Sequence, residues 1–349
     1  MKLKELSLLA VENIENIFKV LDQSTTLLKN SLQISYMDAF IETCNNLLDG
    51  KVMVEDNKPD NNTVNKLDEL YSKIDINTLD SETVRKVIQM VMIKAITQDK
   101  IQANHQITPD TIAFIIGYIV TRIFENYKSL SILDLAAGTG NLLTSIMNQL
   151  HTALKIDVKG VGIDNDDSML SIANINAQLQ NKHDALELIH QDSINNLLVN
   201  DVDLVVSDLP VGYYPIDENV QNYQTKASNG HSYAHHLLIE QGMNHVKQGG
   251  FGIFLVPSNI FETKEAKGLL KWIQDSAYFQ GLLNLPKNIF QDNKAQKAIL
   301  ILQKHGNQAK QADQVMIGEF PSFKNTKDFQ RFIAEIVQWE EKDLLSNHK

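Results

Sequence analysis

The chain has 349 residues, 43% of them hydrophobic, enough for one large core and a smaller second unit. Its formal net charge of -11 disfavours a broad electrostatic grip on nucleic acid, which needs basic surface to displace counterions. The single cysteine, Cys44, excludes an internal disulfide framework and a cysteine-rich zinc site, and it reads as a buried small hydrophobe.

In chain order, Met1-Lys2-Leu3-Lys4 opens an apolar run that Glu5 and Glu12 interrupt, the pattern of an amphipathic helix and not of a signal peptide. No uninterrupted apolar run is long enough to span a bilayer, so the expected location is the cytoplasm. Residues 1–100 are expected to form a helical N-terminal domain. Val84, Val87, Ile88, Val91 and Ala95 repeat with helical period behind Asp80 or Ser81 as N-cap, while the Asp- and Asn-rich stretch Val54–Asn65 reads as a loop. Residues 101–349 are expected to form a second domain. In it short apolar runs at Ile132–Leu135, Val158–Ile163, Leu186–His190, Leu204–Ser207, Gly252–Val256, Gly281–Leu285 and Ala298–Leu302 alternate with helices at Leu142–Leu150, Ser168–Leu179 and Ser232–Val246. That alternation predicts an α/β fold with a mostly parallel sheet covered on both faces. The last two runs are joined by Pro286–Lys297 without a clear crossover helix, so they can pair antiparallel. A strand-like piece after residue 315 and a helix at Lys327–Trp339 complete the chain, with no repeat.

The segment Ile132–Gly140, I-L-D-L-A-A-G-T-G, is a strand followed by a glycine turn, and a helix opens at Asn141-Leu142-Leu143. That order makes a nucleotide site, because glycines admit a close ligand and a helix start offers free N–H groups. A dinucleotide fingerprint requires a third glycine at position 143, and the residue there is Leu143. S-adenosylmethionine (SAM), which has no pyrophosphate, suits D-x-A-x-G-T-G better. Ligands of open α/β sheets bind beyond the carboxyl ends of the strands. Four consecutive strands end there in Asp134, Asp164-Asn165, Gln191-Asp192 and Ser207-Asp208. Asp164 stands where an acid accepts from ribose hydroxyls, and Asp192 would lie beside the base. Any one of these acids could equally be a helix cap.

Asp208-Leu209-Pro210-Val211-Gly212-Tyr213-Tyr214-Pro215 is the candidate catalytic loop. The exocyclic amine of adenine is a poor nucleophile because its lone pair is delocalised into the ring. A carboxylate on Asp208 and the carbonyl of Leu209 can accept its two hydrogens and aim the nitrogen at a methyl donor. The other reading is a proline-containing turn with partly buried tyrosines.

These motifs resemble the class I SAM-dependent methyltransferases, and among them the adenine-N6 DNA methylases of the kind found as modification subunits of type I restriction systems. The likeness covers about residues 80–305 and is nearest to short, stand-alone methylase-like proteins of Gram-positive bacteria with a helical N-terminal region. The resemblance implies a Rossmann-like sheet with an antiparallel strand near its C-terminal edge, and SAM as cofactor. It matches a Thr-Pro that contacts the methionine end of SAM to Thr108-Pro109, and the glycine turn to Asp134–Gly140. The ribose acid matches Asp164, the adenine-contacting acid Asp192, and the [N/D]-P-P-[Y/F] motif Asp208-Leu209-Pro210-Val211. Leu285–Phe290 and Lys297–Leu302 are similar to the family's terminal strands. The expected cofactor set is Thr108, Pro109, Asp134, Ala136, Gly138, Gly140, Asn141, Asp164, Asn165, Asp192 and Ser193. The expected catalytic set is Asp208, Leu209, Pro210 and Tyr213, with no metal.

The chain departs from the family at four points. Leu209 replaces a proline, which keeps the carbonyl but is expected to loosen the backbone. Val211 replaces the aromatic ring that stacks on a flipped-out base, so Tyr213 or Tyr214 would have to substitute. No target-recognition domain is visible for extracting a base from a duplex. Ile107 stands where an aromatic usually precedes Thr108.

Adjacent His235 and His236 point apart on a helix, and His231 with His235 lacks an HExxH context, so metal binding is not expected. The polar stretch Tyr223–Tyr233 reads either as a lid over the substrate or as an ordinary surface loop. The leading expectation is methyl transfer from SAM to an amine, adenine N6 in nucleic acid first. A catalytically impaired SAM-binding regulatory or docking module is the alternative, and an NAD-dependent oxidoreductase fits the βαβ order but not Leu143. A dimer is possible.

Overall fold

A computed structural model describes residues 2–100, 107–290 and 295–345. The expected boundary at 100/101 adjoins residues 101–106, which lie outside the described residues, as does part of the Pro286–Lys297 connection. The chain opens with α1 (Lys2–Leu32), α2 (Tyr36–Asp49), α3 (Asn61–Tyr71) and α4 (Ser81–Gln98). Asp80 is the α4 N-cap, accepting from the N–H groups of Glu82 and Thr83. The Val54–Asn65 stretch is only partly a loop. Asp60 accepts from the Thr63 N–H, and its asparagine neighbours form the first turn of α3. Short polar residues that break a helix interior also cap its start, and composition alone did not separate the two roles.

The remaining elements are α5 (Asp110–Ile123), β1 (Ser129–Asp134), α6 (Asn141–Leu154), β2 (Asp157–Asp164), α7 (Asp167–Leu179), β3 (Leu186–His190), β4 (Val202–Asp208), α8 (Ala234–Asn244), β5 (Val246–Pro257), α9 (Ala266–Ser276), β6 (Ala277–Asn284), β7 (Lys297–Lys304), β8 (Met316–Glu319) and α10 (Thr326–Trp339). Among the described residues the strands form one eight-stranded sheet in the order β3-β2-β1-β4-β5-β7-β6-β8. The first five strands of that order pair in parallel. The β7 strand inserts between β5 and β6, antiparallel to both, and β8 pairs parallel with β6. Because β7 runs backwards, its first residue lies at the rim where the parallel strands end, with Lys297 opposite Pro257.

Both faces of the sheet are covered, so its central strands β4, β5 and β7 carry near-continuous buried apolar runs. Leu204, Val206, Ile253 and Leu255 face one core with α5, α6 and α10, whereas Val205, Phe254 and Val256 face the other with α8 and α9. A third core joins Ile17, Tyr36, Phe40 and Cys44 of the first helices to α4 and to Ile172, Ile175 and Leu179 of α7. Burial raises the thiol pKa of Cys44, in keeping with an inert packing role. No helix among the described residues is long and apolar enough to cross a membrane. The α9 helix was not foreseen, although Ala266, Leu269, Trp272 and Ile273 bury one face at helical spacing.

At the C-terminal end, Glu340 is fully buried and lies 3.6 Å from Arg122, too far for a hydrogen bond. Neither of its oxygens has a hydrogen-bond partner among the described residues, and burial pushes its carboxyl up to about 8 against the pull of Arg122. Folding therefore keeps a proton that the unfolded chain releases near pH 4.3, and this group's contribution to stability falls as pH rises from there to about 8. Glu340→Gln should raise the melting temperature by roughly 2–5 °C at pH 8.5 and leave it little changed at pH 5. Thermal scans at the two pH values check this, and an equal shift at both would contradict it.

Candidate cofactor and acceptor site

A cavity of about 780 Å³ opens at the carboxyl ends of β1, β2, β3 and β4. Thr108, Asp134, Ala136, Gly138, Asn141, Asp164, Asn165, Asp192, Ser193, Asp208, Leu209, Pro210 and Tyr213 line it. Pro109 and Gly140 do not. Pro109 starts α5, its carbonyl accepting from Ile112 and Ala113. Gly140 holds φ +69 as the α6 N-cap and packs on α7, where a Cβ would stand 3.4 Å from that of Ala173.

The glycine turn is built around Asp164. One of its oxygens accepts from the Gly138 N–H at 2.7 Å, the other from the Asp166 N–H at 3.0 Å. Gly138 sits at φ +51 with open space where a Cβ would project, which suits a ligand lying against bare backbone. The α6 helix begins without a side-chain cap, so its first-turn N–H groups remain available. Leu143 is fully buried, and a Cβ on Gly162 of β2 would lie 3.6 Å from its side chain. The close helix–strand approach that a dinucleotide fold obtains with a helix glycine is obtained here with a strand glycine, beside the packed Leu143.

Asp134 is buried and accepts from the Ser207 hydroxyl at 2.7 Å and the Ala136 N–H at 3.1 Å. Burial, with Asp164 and Asp208 nearby, pushes its carboxyl up to about 7. Asp192 accepts from the Ile194 N–H at 2.9 Å and the Tyr214 hydroxyl at 2.7 Å. Burial and Asp192 push that phenol up to about 12. Ser193 donates to the Leu135 carbonyl at 2.6 Å, and Asn165 lies at the exposed mouth. The wall is therefore strongly acidic, which suits SAM, whose sulfonium and amino group are positive.

At the end of β4 the Asp208 carboxylate is held on both oxygens. The Thr108 hydroxyl donates to one at 2.8 Å, and the Lys297 ammonium pairs with the other. Leu209 is fully buried, and its N–H donates to the Leu255 carbonyl at 3.1 Å. The loosening expected from losing a proline does not occur, because leucine supplies a backbone donor that proline lacks. His235, lowered to about 3 by burial and by His236 and Lys297, is a neutral ring.

Beyond Pro210, Val211 is half exposed. Tyr213 stacks on Tyr233, centroids 4.6 Å apart and planes 13° apart. Tyr213 thus stays at the rim, while Tyr214 is committed to Asp192 and Asn219. Tyr223–Tyr233 is a largely exposed loop of turns, as one of its two readings expected, and it is pinned at several points. Buried Glu240 accepts from the Gln224 and Thr225 N–H groups, and Ser232 accepts from the Ala227 N–H. His231 lies 3.0 Å from Asp217, away from inward-turned His235.

Sequence reasoning missed Lys297 as part of the site, and it offered Tyr214 as a base-stacking ring where its hydroxyl is instead held by Asp192. Lys297 carried a usable signal, since a lysine opening an antiparallel strand in this sheet must sit at the carboxyl rim.

The model of the YtxK N-terminal helical domain matches residues 15–96, and that of the N-6 DNA methylases matches residues 83–342. The YtxK protein of Bacillus subtilis, itself uncharacterized, is 38% identical over 337 residues, 95% of this chain and 99% of the relative. A Listeria monocytogenes crystal structure, classed as a class I SAM-dependent methyltransferase, superposes with a TM-score of 0.87 at 39% identity, covering 94% of this chain and 99% of that one. A type I restriction-modification methyltransferase subunit from Streptococcus thermophilus shares the fold, with a TM-score of 0.64 at 16% identity over 80% of this chain and 62% of that one.

For the cofactor end, Asp164→Ala should raise the SAM dissociation constant at least about tenfold, the value of a lost charged hydrogen bond. Asp164→Asn, which still accepts from Gly138, should raise it less. Calorimetry decides, and unchanged affinity in the alanine variant would contradict the assignment. The fold, the acidic glycine-turn pocket and the N-6 DNA methylase match over residues 83–342 agree that this chain is a SAM-dependent methyltransferase belonging to the N-6 DNA methylase family.

Proposed function

We propose that the chain transfers the methyl group of SAM to the exocyclic N6 of adenine in nucleic acid, DNA first. The observation that carries this reading is the Asp208 carboxylate, gripped by Thr108 and Lys297 at the wall shared with Asp164 and Asp192. SAM supplies a methyl group on a positively charged sulfur. Asp208 accepts one N–H of the acceptor amine and the Leu209 carbonyl the other, which draws the nitrogen toward a tetrahedral geometry and localises its lone pair toward the donor. A new N–C bond forms as the S–C bond breaks, and the surplus proton on nitrogen leaves through Asp208 or water.

Lys297 adds selectivity. Beside the acceptor Asp208 it sets a donor, and such a pair complements an amine next to a ring nitrogen, as N6 beside N1 in adenine. A simple aliphatic ammonium would meet the lysine charge instead. Tyr213 and Tyr233, stacked at the rim, provide the aromatic face that Val211 does not. The proposed cofactor residues are the cavity-lining members of the expected set, with Gly140 and Pro109 shaping the turns behind them.

A second reading rests on the same clasp. Both oxygens of Asp208 already have partners, as suits a SAM-binding docking module in which Lys297 occupies the acceptor position.

Labelled methyl transfer to unmethylated genomic DNA, total RNA and lysate protein separates the two. The proposal expects N6-methyladenine in a nucleic-acid pool, a loss of roughly 100-fold or more with Asp208→Ala at near-normal SAM affinity, and slower transfer with Lys297→Met. Label in the protein pool, or faster transfer with Lys297→Met, would contradict it. SAM binding without transfer to any pool would favour the docking module.

A further inference from the structure

One polar face of α4 reaches the SAM pocket, although α4 lies far from it in sequence. Glu82, Arg85 and Gln89 fall on that face at i, i+3 and i+7. The Arg85 guanidinium is 1% exposed, so every donor it holds needs a partner. Its Nε and Nη2 donate to the two oxygens of Glu82 at 2.8 and 2.6 Å. Its Nη1 donates to Asp110, the first residue of α5, at 2.9 Å and to Asn141, the first residue of α6, at 2.7 Å. The Asn141 amide then donates to the Thr108 carbonyl at 3.2 Å, where Gln89 also donates at 3.3 Å. Thr108 completes the chain through its hydroxyl on Asp208. Thr108 and Asn141 both line the cavity, and Arg85 and Gln89 do not.

The opposite, apolar face of α4 is where the helical region attaches. Val84, Val87, Ile88 and Val91 pack there against Ile17 and Leu21 of α1 and Phe40 and Cys44 of α2. The two family matches overlap at residues 83–96, all of them within α4. This helix is therefore a strut with the bundle on one side and the starts of α5 and α6 on the other.

We propose that Arg85 and Gln89 are positioning residues for SAM, acting through Asn141 and Thr108, and that the helical region and the SAM pocket are thereby thermodynamically coupled. An arginine suits this place because its planar fork can serve Glu82, Asp110 and Asn141 at once, which a lysine cannot. Reciprocity follows. Whatever tightens α4 tightens SAM binding, and SAM tightens α4 by the same factor. This rests only on SAM binding and is independent of the methyl acceptor.

The test uses the full chain, SAM calorimetry well below the melting temperature, and a double-mutant cycle. Arg85→Met should weaken SAM binding about tenfold, and Gln89→Leu, which strands no charge, should weaken it severalfold. The Arg85→Met effect should shrink sharply when Asn141 is already alanine, because that path is then cut, whereas the Gln89→Leu effect, which runs directly to the Thr108 carbonyl, should persist. A purely structural role would lower the melting temperature but leave the SAM dissociation constant, or the additivity of the Arg85–Asn141 cycle, unchanged. In the wild type, SAM should slow amide exchange along residues 81–98, and in Asn141→Ala it should do so less. Normal SAM affinity in Gln89→Leu together with unaltered exchange in α4 would overturn the proposal, even if Arg85→Met fails to fold.

Discussion

The clasp on Asp208 is the constraint around which the site is organised. Three segments far apart in the chain meet on that carboxylate: Thr108 ahead of the sheet, Asp208 at the end of β4, and Lys297 at the start of β7. Each arrives through a separate property of the fold. Asp208 is there because a parallel strand ends at the ligand rim. Lys297 is there because one strand runs the opposite way, so its first residue and not its last reaches the same rim. Thr108 is there because the turn before α5 is held from behind by Gln89 and Asn141.

The electrostatics follow from this arrangement. Four carboxylates face one cavity, a repulsive grouping unless some are neutralised. Asp134 is buried and pushed up to about 7, Asp164 is bound by backbone N–H groups, Asp192 by a backbone N–H and a tyrosine hydroxyl, and Asp208 by Lys297. What remains is a pocket suited to a cofactor with net positive charge, with a single ammonium at its acceptor end.

Much of this was legible in the sequence. The seven apolar runs all fall on strands, because a sheet buried on both faces needs near-continuous hydrophobic segments whose ends carry the polar residues. The glycine turn and the four strand-end acids stand where the motif order placed them. Local chemistry was also readable at Asp80, the α4 cap. Illegible features depended on contacts between distant segments. The insertion of β7 between β5 and β6, the pairing of Lys297 with Asp208, and the reach of Arg85 to Asn141 carry no local pattern. Leu209 misled for a related reason. Its missing proline ring is visible in the sequence, whereas the Leu255 carbonyl that anchors its N–H is not.

The most direct test is a crystal structure with sinefungin, a SAM analogue carrying an amine in place of the transferable methyl group. The account predicts its ribose at Asp164, its adenine beside Asp192, and its amine directed at Asp208. That amine, positive like the lysine, should reach the Asp208 carboxylate and not the Lys297 ammonium, and an analogue seated in this cavity with its amine turned away from Asp208, or bound elsewhere, would contradict the account.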